Sequence, residues 1–137
     1  MTQEEKQLLL KDLCARLVYG VVVNAQYKDG EGWKTEDRKL LGLYTDGQVY
    51  VDAVYTNIEN IKPYLRPMSS MTEEEIKEAE NISRLKYIDG TFAELRQFTL
   101  INDNFVDWLN SHHFDYRGLI EKGLALEAPE STKYFIQ

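Results

Sequence analysis

Asp107, His112, His113 and Asp115 are the one group in this sequence whose residue types and spacing could do chemistry. Two imidazoles flanked by carboxylates can ligate a divalent cation, or pass a proton between a base and an acid near neutral pH. Joint ligation demands convergence, and adjacent residues of a helix point about 100° apart. His112 and His113 therefore meet on one ion only if a helix ends between them. The competing reading packs His112 against the core with a backbone partner, leaves His113 exposed and uses Asp115 as a helix N-cap. Directly after that cap, Tyr116 and Arg117 stand where an arginine and the free amides of a first helical turn could hold an anion. The plainer use of Arg117 is an ion pair with Asp107 or Glu121. The binding candidates are thus His112, His113, Asp115, Tyr116 and Arg117; no catalytic residue, metal ligand or cofactor is assigned.

The elements that must position this group follow from periodicity. Asn102 or Asp103 can cap a helix in which Phe105, Trp108, Leu109 and His112 share one face, so Trp108 is expected to be the most buried residue of this part. A short last helix should follow Asp115, with Leu119 and Ile120 inward and Gly123 as the glycine that closes it. Leu124, Leu126 and Ala128 alternate beyond it. At the other end, Thr2 and Glu5 form a capping box ahead of Leu9, Leu10, Leu13 and Leu17, predicting a helix from Gln3 to Arg16. Cys14 lies beside that stripe and is expected to be buried. From Val18 the period changes to two: one strand is expected from Val18 to Tyr27, a second from Arg38 to Tyr44 and a third from Gln48 to Tyr55. Asp46-Gly47 turns the second into the third. Ile58, Ile61 and Leu65 are core anchors, and Pro63 and Pro67 prevent a long helix there. A second capping box, Thr72 with Glu75, restarts a helix to about Leu85. Thr91 to Phe98 can be a short strand after Asp89-Gly90 or one more helix, and the strand is the favoured reading.

The expected fold class is therefore α+β, in one domain over residues 1–137. It comprises an N-terminal helix, a three-stranded antiparallel β-meander and a C-terminal helical part. The meander aromatics Tyr27, Trp33, Tyr44, Tyr50 and Tyr55 could form a platform for bases or a peptide, as in an open barrel of the SH3 or oligonucleotide-binding type. Alternation should instead send half of them into the core.

Composition narrows the function classes. The formal charge of −7 divides as −1 over residues 1–68 and −6 over residues 69–137, and the basic residues cluster only as Lys62 with Arg66 and Arg38 with Lys39. Such a chain repels phosphate backbones at long range, which argues against nucleic acid as a partner. The single cysteine forms no internal disulfide, the N-terminus has no signal-peptide layout and no apolar run could cross a membrane. A cytoplasmic location is expected, with no membrane role. No Gly-rich phosphate loop, serine nucleophile elbow or paired-cysteine zinc motif is present.

Three blocks carry a resemblance. These are Leu8-Leu-Leu-Lys-Asp-Leu-Cys-Ala-Arg-Leu17, Ile61-Lys-Pro-Tyr-Leu-Arg-Pro-Met-Ser-Ser-Met-Thr-Glu-Glu-Glu75 and the stretch from Asp107 to Glu130. Together they look like a group of short uncharacterised proteins of gut bacteria and their phages. The resemblance implies a small cytoplasmic accessory protein of phage or mobile-element origin and carries over no functional residue. The favoured expectation is a non-enzymatic binding module with a protein or ligand as partner. Two alternatives stay open: a metal-assisted or acid/base hydrolase using Asp107, His112, His113 and Asp115, and a nucleic-acid binder using the meander. A homodimer is also expected as an option, paired through the unprotected edge of the strand from Val18 to Tyr27.

Overall fold

The computed structural model describes residues 1–92 and 103–129. Its elements run α1 (Gln3–Arg16), β1 (Val22–Asp29), β2 (Gly32–Leu43), β3 (Gln48–Val51), β4 (Val54–Asn57), β5 (Ile61–Leu65), α2 (Glu73–Ser83), β6 (Tyr87–Ile88), β7 (Thr91–Phe92), α3 (Asp103–Ser111) and β8 (Leu126–Glu127). Single 3₁₀ turns occupy Leu17–Tyr19, Ile58–Asn60 and Met68–Ser70. The class is α+β, but a three-stranded meander is an undercount. One six-stranded sheet has the order β4-β3-β2-β1-β5-β8, antiparallel throughout except for β5 with β8.

Both capping boxes form, at Thr2 with Glu5 and at Thr72 with Glu75, and set the starts of α1 and α2. The strands depart from the expected ones for local reasons. Gly20 takes φ +76° after the Leu17–Tyr19 turn, which delays the first strand to Val22. β2 begins at Gly32, because Asp29 pairs with Gly32 across a two-residue turn and the hairpin is long. The expected third strand is two: Asp52 and Ala53 both adopt positive φ and fold β4 back on β3, pairing Val51 with Val54 and Tyr50 with Tyr55. Tyr55 consequently leaves the face shared by Val49 and Val51, both of which are buried.

β2 bends through a register shift between Leu40 and Gly42, so its first half pairs with β1 and its second with β3. β5 returns to β1 at Val23–Ala25, and the Thr56 hydroxyl of β4 donates to the Gln26 carbonyl of β1 at 2.7 Å. The sheet thereby curls around a core of Val23, Ala25, Leu40, Val49, Val51, Ile58, Ile61 and Leu65, onto which α1 lays Leu9 and Leu13. Burial of that apolar face is what drives the curl. β1, which carries most of the strand expected to present an open edge, is an interior strand between β2 and β5.

A second apolar cluster holds Met71, Ala79, Phe92, Phe105, Trp108, Leu109 and Phe114, contributed by α2, α3 and their flanks. Trp108 is not its most buried member: it is 8% exposed where Phe105, Leu109 and Phe114 are fully enclosed, because its indole N–H reaches out to Glu78 at 3.0 Å. Cys14 is exposed, one position beyond the buried Leu13. The helix expected after Asp115 is a series of turns, with Gly118 and Gly123 both at positive φ. Asp89-Gly90 turns β6 into β7, whereas the rest of the strand expected to Phe98 and the cap at Asn102 lie outside the described residues.

Candidate functional site

The two histidines part company at the end of α3. His112 lies with its ring 4.3 Å from the Trp108 indole, stacked at 28°, and its Nδ1 is 2.9 Å from the Trp108 carbonyl and 3.1 Å from the Ser111 hydroxyl. His113 then adopts φ +61°, a left-handed turn that ends the helix with the Phe114 N–H donating to the Leu109 carbonyl. From there the chain runs beside the end of β5: the Arg66 N–H donates to the His113 carbonyl and the Asp115 N–H to the Arg66 carbonyl, both at 2.8 Å. Burial is the reverse of the expected pattern. His113 is enclosed at 1% exposure, whereas His112 is half-buried.

Enclosure pushes the His113 imidazole down to about 4, since burial disfavours the cation and the neighbouring Arg16 and His112 repel it. The Asp115 carboxylate accepts from the Leu119 and Ile120 amides at 2.8 and 2.9 Å, so it does cap, but it caps turns. Asp107 stays on the exposed side of α3. The chemistry expected of Asp107, His112, His113 and Asp115 needs them around one point, but His112 stacks on Trp108, His113 is enclosed, Asp115 caps turns and Asp107 faces solvent. Among the described residues no three His, Cys, Asp or Glu side chains are grouped as a metal site.

Tyr116 and Arg117 are brought instead to the buried end of α1. Asp12 accepts from Arg16 Nε at 2.9 Å and from Arg117 Nη1 at 2.8 Å, and Arg16 Nη2 donates to the Phe114 carbonyl at 2.6 Å. Asp12 and Arg16 are both fully enclosed. The Tyr116 ring lies 5.5 Å from the Arg16 guanidinium and 4.6 Å from that of Arg117, with its hydroxyl on Asn110 at 3.0 Å. Neither Asp107 nor Glu121 is the partner of Arg117. The Asp12 carboxylate supplies the negative charge that an incoming anion would have brought to Arg117, and it repels any second anion there. Its effect is to lock α1 to the chain 105 residues later. The i,i+4 pair of Asp12 and Arg16 was visible in sequence as a helix-surface pair; its burial was not.

The two arginines of the basic pairs, Arg66 and Arg38, are similarly engaged. Arg66 forks both Nη atoms onto Glu75 at 2.7 Å and lies 4.2 Å over the Phe114 ring. Burial alone would raise the Glu75 carboxyl, but the Arg66 fork and the Thr72 amide outweigh it and hold it below its ordinary value. Arg38 donates to Glu36, to the Tyr27 hydroxyl and to the Asp52 carbonyl.

Fewer of the meander aromatics are packed than alternation predicts. Tyr27 is packed, but Trp33, Tyr44 and Tyr55 are exposed and Tyr50 is half-buried. Tyr50 and Tyr55 oppose each other across β3 and β4 with rings 4.8 Å apart, and Tyr44 joins at 6.0 Å from Tyr55. The Tyr55 hydroxyl is raised above its ordinary range by its bond to the Tyr44 hydroxyl. Gly42 lies beneath them: a Cβ there would meet Tyr50 Cβ at 3.5 Å and Tyr44 Cε2 at 3.9 Å, ordinary contact distances. Leu41, at the register shift next to Gly42, is also exposed. Elsewhere, an open groove of about 550 Å³ lies between Tyr19, Ile82, Asn104, Asp107, Trp108 and Ser111.

Comparison with known proteins yields no match: no family model, no curated protein and no solved structure is similar to this chain. Among the described residues no helix is long and apolar enough to cross a membrane.

Proposed function

We propose that this protein is a small cytoplasmic accessory protein that acts as a non-enzymatic, protein-binding module. In this reading its curled sheet is a barrel of the SH3-like kind, which presents Tyr44, Tyr50 and Tyr55 to a polypeptide partner. The barrel assignment rests on strand order: β2 serves both halves of the sheet, and a 3₁₀ turn leads from β4 into β5, which returns to β1. The binding role rests on the tyrosine face. Three neighbouring rings on the outer side of β3 and β4, with Leu41 beside Gly42, leave apolar area in water that a folded monomer gains nothing by exposing. Tyrosine suits such a surface, since its ring supplies contact area at small entropic cost and its hydroxyl supplies a hydrogen bond. Phage or mobile-element origin is suggested by the three sequence blocks alone.

Affinity capture from the producing cell, compared between the wild-type chain and a Tyr50→Ser/Tyr55→Ser variant, tests the role. The expected result is a protein retained in near-equal amount by the wild type and lost by the variant, with the variant's fold checked by circular dichroism. Retention that is unchanged by both substitutions, or no retained protein, overturns it. Thermal stabilisation by a divalent ion that disappears in His112→Ala would move the reading to the hydrolase.

A further inference from the structure

The β1–β2 hairpin extends beyond the barrel. β1 pairs with β2 from Val22↔Lys39 to Asp29↔Gly32, but β3 meets β2 only from Leu40 onward. Among the described residues no strand lies against β2 between Trp33 and Arg38, so this stretch forms a free sheet edge. Every residue from Trp33 to Asp37 is exposed, including Trp33 at 64%. Protruding hairpin edges are usually blunted by charges, because an arbitrary strand arriving there meets at least one like or uncompensated charge. The charges here have an additional property.

We propose that this edge docks a second copy of the chain, pairing β2 with its own symmetry mate in antiparallel fashion about a two-fold axis through Thr35. In that register Lys34 opposes the mate's Glu36, and the pairing occurs twice by symmetry. Trp33 falls opposite Asp37 and Gly32 opposite Arg38, so no like charges meet. Sliding the mate by two residues in either direction brings Lys34 against Lys34 or Glu36 against Glu36. The charge pattern therefore selects self-pairing in one register and discourages open-ended stacking.

The side chains are placed to allow this. Lys34, Glu36 and Arg38 are partners of Tyr27, Ala25 and Val23 and share their face, whereas Trp33 and Thr35 project from the other. Lys34 already holds Asp29 at 2.8 Å, and Glu36 holds the Tyr27 hydroxyl at 2.7 Å and Arg38 at 2.8 Å. These bonds orient both groups, and an ammonium with three donors and a carboxylate with two oxygens keep capacity for a partner. On the other face the two Trp33 rings would cover the Thr35 pair at the axis.

Light scattering across the micromolar range tests the pairing. Twice the 16.0 kDa chain mass is expected for the wild type. Lys34→Glu and Glu36→Lys should each weaken the dimer about tenfold or more, by making two like-charge contacts, and the doubly exchanged variant should restore it. If Glu36→Lys unfolds through loss of its Tyr27 bond, a cross-link replaces it. In a Cys14→Ser background, Thr35→Cys places two thiols on directly opposed positions about 4.5–5.5 Å apart at Cα, inside the range for a disulfide. Mild oxidation should join the chains through Thr35→Cys and not through Val18→Cys, an exposed control. A monomeric mass throughout overturns the proposal. So does a dimer indifferent to the charge exchanges, or equal cross-linking at both positions.

Discussion

Arg117 donates to Asp12 across 2.8 Å although 105 residues separate them, and Arg16 takes the other carboxylate oxygen of the same aspartate. One fully enclosed carboxylate thus holds the last turn of α1 against the chain that follows α3. Asp12→Ala leaves the Arg16 cation enclosed without its counter-charge, which typically costs about 3–5 kcal/mol. Arg117→Ala keeps the Asp12–Arg16 pair and should cost roughly 1–2 kcal/mol, since the side chain is partly solvated. Denaturant melts of the two variants check the ordering; equal losses would mean that Asp12 acts chiefly through Arg117.

Stability should fall on mild acidification because of His113. Its folded-state pKa, about 4, lies below the ordinary 6.5, so the unfolded chain binds the proton first. The stabilisation is complete above about pH 6.5 and is lost as pH falls through that value towards 4, by up to roughly 3 kcal/mol. His113→Asn, a residue that tolerates the left-handed backbone at φ +61°, should flatten the slope of melting temperature between these limits. An unchanged slope would assign the acid sensitivity to other groups.

Trp108 stacks on His112, Phe114 and Phe105, with ring centres 4.3, 5.6 and 6.3 Å away. Trp108→Ala should cost about 3–5 kcal/mol in chemical denaturation, the range for a core aromatic. Trp108→Phe should recover most of that and lose only the bond to Glu78. A loss under about 1 kcal/mol for the alanine variant would show that the stack contributes little.

The β3–β4 turn holds a correctable strain. Ala53 sits exposed at φ +79°, where a Cβ crowds the backbone and glycine does not. Ala53→Gly should raise stability by about 1 kcal/mol despite the added freedom of the unfolded chain, giving an upward shift in the urea midpoint. A downward shift would mean that the turn gains more from the alanine than from relief of its backbone.

The sequence by itself determined what is local. The two capping boxes marked the starts of α1 and α2 because cap and carboxylate lie three residues apart. The apolar spacing of Phe105, Trp108 and Leu109 and the anchors Ile58, Ile61 and Leu65 were likewise readable, since periodicity reports which face is buried. Backbone turns at residues other than glycine were not: Asp52, Ala53 and His113 carry no signature strong enough to announce positive φ. One such turn split the third strand and moved Tyr55 to the surface, and another exchanged the burial of His112 and His113. Long-range partners were the other limit. Tertiary structure alone decided that Asp12 joins Arg117, that β1 is interior while part of β2 is an edge, and that the histidine and aspartate group disperses. Those outcomes depend on which surfaces meet when two apolar clusters are buried together, and sequence spacing holds no record of that choice.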